Sequence, residues 1–151
     1  MSVVIVGIGN RLRSDDAIGS LIAEELKFYN LSNVTIYDVG ITPENYIDKV
    51  VAEKPEWVIF IDACNFDAKP GEYKLFEENE IQDISYGLMS THTLPLTLTI
   101  ELIKKQHNCR ISLLGIQPKS FTMSSDLSTE ILNAKNKVIE YIKSIIKNQP
   151  T

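Results

Sequence analysis

The chain is poor in cysteine. Its 151 residues hold only Cys64 and Cys109, with no CxxC pair, which excludes a disulfide framework and makes a reduced cytoplasmic protein the simplest expectation. It has no basic excess: 15 Lys and Arg against 20 Asp and Glu leave a net charge of −5, without the positive patch a nucleic-acid partner requires. It has no long apolar run either. Near the N-terminus the longest is Val3 to Val6, far too short for a signal peptide or a membrane span, so no membrane insertion is expected. No serine sits in a nucleophile elbow, which removes the Ser/His/Asp hydrolases. Internal repeats, low-complexity tracts and linkers are missing as well; only the tail, 147–151, reads as loose.

What is present is ordinary in amount and specific in order. A hydrophobic content of 44% with 23% charged residues describes one globular domain, residues 1–151, large enough for a real core. The chain is organised around its first nineteen residues. Val3-Val4-Ile5-Val6 reads as a buried strand, the glycines of Gly7-Ile8-Gly9 as a tight turn, and Ser14-Asp15 as the start of a helix. Two adjacent carboxylates, Asp15 and Asp16, therefore fall where strand, loop and helix meet.

The remainder alternates between strand and helix patterns. A first helix over about 15–29 carries Ile18, Leu21, Ile22, Leu26 and Tyr29 on one stripe. Val34 to Tyr37 forms a second strand ending at Asp38-Val39-Gly40, and Thr42-Pro43-Glu44 opens a second helix with Thr42 as its cap. Trp57 to Ile61 is apolar throughout, which predicts a central strand covered on both faces, ending at Asp62. An edge strand follows over 72–76, then a polar, irregular stretch over 77–91. A third helix begins near Leu94-Pro95 with Leu98, Leu102 and Ile103 inward. A fifth strand covers 110–116, and a last helix about 127–146 carries Ile131, Ala134, Val138, Ile142 and Ile145 inward.

This order predicts an α/β/α sandwich of three layers, with a mostly parallel twisted sheet of about five strands and helices on both faces. Right-handed crossovers place every parallel strand's C-terminus on one edge. Asp16 follows the first strand, Asp38 ends the second, Asp62 ends the third, and His92 lies in the loop before the third helix. Four ionisable groups thus converge on one rim.

Two chemistries compete for that rim. Gly7-Ile8-Gly9 with Asp38 resembles the start of a dinucleotide fingerprint, but Leu12 stands where the third small residue belongs. Asp15 and Asp16 also occupy the helix end a pyrophosphate needs. No organic cofactor is expected. Asp16, Asp62 and His92 fit a metal better: two carboxylates and one imidazole leave coordination positions open, and oxygen and nitrogen donors suit zinc, nickel or another divalent ion. Each residue also has a plainer reading. Asp15 serves best as a helix cap; Asp38 and Asp62 are common turn formers; His107 reads as surface, and Cys64 as a small buried residue.

The motif over residues 7–19, Gly-Ile-Gly-Asn-Arg-Leu-Arg-Ser-Asp-Asp-Ala-Ile-Gly, resembles the opening of the hydrogenase maturation proteases. The resemblance continues through Asp38-Val39-Gly40-Ile41-Thr42-Pro43-Glu44-Asn45, Ile61-Asp62-Ala63, Thr91-His92-Thr93-Leu94-Pro95-Leu96 and Leu114-Gly115-Ile116-Gln117-Pro118. The Pro-Glu-Asn, Thr-His-x-x-Pro-Leu and Gly-Ile-Gln-Pro blocks are most similar to the branch serving hydrogenase 3. Ala17 replaces the family's usual Gly, and Asp16 the Glu of other branches; neither change removes a metal-binding oxygen.

The resemblance implies an aspartic-type endopeptidase that trims the C-terminal extension of a nickel–iron hydrogenase large-subunit precursor. Asp16, Asp62 and His92 match the metal-binding positions, the metal being nickel brought by the substrate. Asp38 is an accessory catalytic candidate. The expected partner is the precursor, and a monomer is favoured. A non-catalytic nickel-sensing chaperone and a small-molecule α/β hydrolase are the alternatives.

Overall fold

Three stretches of this sequence are mainly apolar on both faces, and a strand of that kind needs cover on both sides. In the computed structural model, which describes residues 1–84 and 96–148 (82–84 as backbone), they become β1 (Val3–Ile8), β3 (Trp57–Ala63) and β5 (Arg110–Ile116). With β2 (Val34–Gly40) and β4 (Tyr73–Glu77) they form a sheet of order β2-β1-β3-β5-β4. All pairings are parallel except β4 with β5. The expected fold class holds: β3 is the middle strand and is buried throughout.

The period-two alternation of the strands sorts the core into two layers. Val3, Ile5, Trp57, Ile59 and Ile61 face α1 (Ile18–Leu26) and α5 (Thr129–Lys147). Val4, Val6, Ile8, Val58, Phe60, Ile111 and Leu113 face the other side, where α2 (Ile47–Ala52), α3 (Glu78–Ile84) and α4 (Leu96–Gln106) supply Ile47, Val50, Ile81, Leu96, Ile100 and Ile103.

Several elements differ from expectation for identifiable reasons. The first helix begins as a 3-10 turn, Ser14–Ala17, and Tyr29 lies beyond the end of α1, 39% exposed. Thr42 makes no side-chain cap bond; Pro43 opens a 3-10 turn, Pro43–Tyr46, ahead of a short α2. The stretch expected to be irregular contains α3. With only Ile81 and Ile84 apolar in α3 it shows no readable period, but Ile81 is buried and Glu80 Oε1 accepts the Glu77 N–H at 3.1 Å, half of a capping box. In α4 the inward face is Leu96, Thr99, Ile100 and Ile103, and Leu98 is exposed instead. His107 is part-buried, its Nε2 2.6 Å from the Pro55 carbonyl, which ties the end of α4 to the connector before β3. His92, the start proposed for the third helix at Leu94-Pro95, and most of the 147–151 tail lie outside the described residues.

Candidate functional site

The corner that carries the site is built by close backbone packing. A Cβ on Gly19 would run into the carbonyl oxygens of Ile8 and Ile61, and one on Gly7 into Gly19 and Ala23. Glycine at both places lets α1 lie directly on the C-terminal ends of β1 and β3. The Ser14–Ala17 turn is pressed against β3 as a result. Asp16 is 2% exposed and Asp62, on β3, 3% exposed. The rim reading placed these two in the open; they are buried, because the helix that follows the loop sits so tightly on the sheet. Asp62 Oδ1 accepts the Ala63 N–H at 2.8 Å.

Asp38 lies across β1 from them. Gly7 pairs with Asp38 on one side and with Ile61 on the other, two strand spacings or about 10 Å apart. Arg11 reaches Asp38 Oδ2 at 2.7 Å and Glu24 Oε2 at 3.0 Å. Partial burial works against ionisation of Asp38, but hydrogen bonds from Arg11, Ser20 and Gly40 and the Arg11 charge outweigh it, and the carboxyl is held below the ordinary range. A carboxylate so stabilised takes up a proton poorly.

Asp15 is not a helix cap. It is fully buried and takes four hydrogen bonds from distant sequence: Lys119 and Ser120 N–H donate to Oδ2 at 2.9 Å each, Ser128 N–H to Oδ1 at 2.8 Å, and the Ser128 hydroxyl to Oδ2 at 2.8 Å. It clamps the loop between β5 and α5 onto the turn that carries Asp16. Gln117 does the same for the loop after β3. Its Oε1 accepts the Phe66 and Ala68 N–H groups at 2.9 and 3.2 Å, and its Nε2 donates to Asn65 at 3.1 Å. Sequence reasoning gave no role to Gln117 or Arg11. The available signal was a polar residue directly after the apolar run Leu113 to Ile116.

Cys64 follows Asp62 by two residues and is buried. Burial, and then the Asp62 charge, push its thiol up to about 12, so it stays protonated at neutral pH and is no nucleophile. Among the described residues no three His, Cys, Asp or Glu side chains group closely enough to hold a metal ion. A three-ligand centre on Asp16 and Asp62 thus calls on a donor outside them, and His92, the expected third, lies there.

This fold has close counterparts. A NiFe hydrogenase maturation protease HycI from Thermococcus kodakarensis superposes with a TM-score of 0.85 at 37% identity, covering 97% of this chain and 93% of that one. A putative hydrogenase maturation protease of Methanocaldococcus jannaschii is 35% identical over 96% of this chain and 88% of its own length. The hydrogenase 3 maturation protease of Escherichia coli K12 is 30% identical over 78% of this chain and 74% of its own. The family model for HycI, described as hydrogenase maturation protease, matches residues 19–145. With the two carboxylates set between β1, α1 and β3 in a sheet shared with these relatives, the chain belongs to the hydrogenase maturation protease family.

Proposed function

We propose that this protein is the endopeptidase that removes the C-terminal extension from the nickel-loaded precursor of a nickel–iron hydrogenase large subunit of the hydrogenase 3 type. The observation that supports the reading is that Asp62 near the end of β3 and Asp16 in the Ser14–Ala17 turn packed on that strand are both buried, in a family member. The substrate's nickel is the recognition signal. Asp16 and Asp62 would hold it with His92, a set of two carboxylates and an imidazole that suits a divalent ion and leaves positions open. A metal so placed polarises a neighbouring carbonyl.

The chain's own groups divide the rest. Cys64, locked as a thiol, supplies no nucleophile, and the carboxylates of the corner make hydrolysis of the aspartic type. Asp38 is accessory: paired with Arg11, it fixes the loop that leads to Asp16. Two unbridged cysteines suit work in the cytoplasm, as a monomer, and among the described residues no helix is long and apolar enough to cross a membrane.

The test is incubation with nickel-loaded and nickel-free precursor. Cleavage of the loaded form alone is expected. Binding without cleavage would make the protein a nickel-sensing chaperone, and indifference to both would overturn the reading. The purified enzyme should also carry little metal of its own, because three ligands without a thiolate make an exchangeable site. A stoichiometric ion surviving dialysis would assign the metal to the protease instead.

A further inference from the structure

The backbone of the loop over 9–14 is tied down by its own hydrogen bonds. Asn10 N–H donates to the Asp16 carbonyl at 3.0 Å, the Leu12 N–H to Asn10 Oδ1 at 2.9 Å, and the Arg13 N–H to the Asn10 carbonyl at 3.1 Å. Arg11 is spent on Asp38 and Glu24. Arg13 pairs with Ser124 in a parallel bridge, in which Ser124 N–H donates to the Leu12 carbonyl at 3.0 Å and Ser14 N–H to the Ser124 carbonyl at 2.7 Å. That register sets Leu12 beside Met123. Leu12 is 65% exposed and Met123 77% exposed. Ile41, 36% exposed, stands on the neighbouring loop, which is joined to this one by Gly9 N–H donating to the Gly40 carbonyl at 2.9 Å.

We propose that Leu12 and Met123 form the apolar contact through which the enzyme docks its protein substrate beside the scissile bond, seating in an apolar recess on the hydrogenase precursor next to the segment to be cut. The inference rests on the endopeptidase reading above. Position selects the occupant. Leu12 lies in the loop closed by the Asn10–Asp16 backbone hydrogen bond, so whatever covers it lies over the turn that carries Asp16. Rigidity supports the assignment: the two side chains project from backbone already fixed by the bridge and, beneath it, by the four bonds of Asp15, so docking orders little that is not ordered beforehand. Isolated exposed apolar side chains are common, but these two are held in register on the loop that leads into the Asp16 turn.

The test compares steady-state processing of nickel-loaded precursor by the wild type, by Leu12→Ser/Met123→Ser, and by Phe28→Ser. Phe28, 86% exposed, follows α1 at the opposite edge of the sheet and is the control. The double variant should raise KM about tenfold or more with kcat kept, as expected for lost docking contacts, and Phe28→Ser should change neither. Circular dichroism and Tm should match the wild type in both variants. An unchanged KM in the double variant overturns the docking surface, as does a loss confined to kcat. So does sedimentation showing a wild-type dimer that the double substitution dissolves, which would give the patch to a second copy. Failure of the wild type itself to cut any precursor would sink the endopeptidase reading instead, so the two failures are distinct.

Discussion

Asp15 and Asp16 are neighbours in sequence with different work, and the difference is set by what each meets in the fold. Removing the buried Asp15 carboxylate takes the acceptor from four part-buried donors on Lys119, Ser120 and Ser128. Asp15→Ala should therefore cost about 2–4 kcal/mol in urea unfolding, and Asp15→Asn less, since its amide oxygen still accepts. No denaturation difference between Asp15→Ala and wild type would remove the clamp. Asp16 and Asp62 are buried as well, so isosteric Asp16→Asn and Asp62→Asn are the cleaner probes of processing, with loss of cleavage and retained Tm expected. Cys64 gives the opposite expectation: Cys64→Ala should keep processing, and iodoacetamide should leave the wild type active.

The Arg11–Asp38 pair adds a pH dependence with a definite sign. The folded state holds Asp38 below its ordinary value of 3.8. Its stabilisation is present above that value and lost as pH falls through the depressed one. Arg11 is 44% exposed, so solvent screening limits the pair to about 0.5–1 kcal/mol. Wild type should exceed Arg11→Met by that margin at neutral pH, and the gap should close in acid unfolding curves below the ordinary carboxylate range.

At the scale of elements, α1 is a lever resting on two glycines. Gly19→Ala should push the helix off the Ile8 and Ile61 carbonyls and carry the Asp16 turn with it, at about 1–3 kcal/mol or more and with processing lost. Calorimetry together with the precursor assay reads both effects. This dependence is hard to see from sequence, where Gly19 is one more glycine in a motif. Strands were legible because period and composition are local: Trp57 to Ile61 has no polar face wherever it is placed. Long-range polar bonds are not local. Nothing near Asp15 names Ser128 as its partner, and its place at the start of a helix pattern argued for a cap. Leu98 was misassigned because a three- and four-residue spacing can be drawn through two different faces of a short helix. The α3 pattern has too few apolar residues to show a period at all.

Over the whole molecule, the carboxylate corner and a second polar cluster occupy opposite edges of the sheet. The carboxylate corner sits at the C-terminal ends of β1 and β3. At the far edge, Trp57 Nε1 donates to Ser112 Oγ at 2.9 Å and the Ser112 hydroxyl lies 3.0 Å from Glu77, while Arg110 pairs with Glu77 at 2.9 Å and stacks over Trp57 at 3.9 Å. Ser112→Ala leaves the buried indole N–H without its partner and should cost about 1–3 kcal/mol, with KM and kcat unchanged in the precursor assay at temperatures where the variant is folded. A kinetic effect there would show that the two edges are coupled.

The Asp15 clamp also dictates an order of assembly. It joins residue 15 to residues 119–128, one of the longest sequence separations in the fold, and contacts of that kind close late because the intervening chain must first be confined. The sheet can form while the carboxylate corner is still open, and opening of that corner ahead of the sheet is the expected order of unfolding. The chain's one tryptophan, Trp57, reports the sheet from its centre. In a urea titration, peptidase activity should vanish at a lower concentration than the tryptophan signal. The protease would therefore pass through a folded but silent state on its way to and from activity.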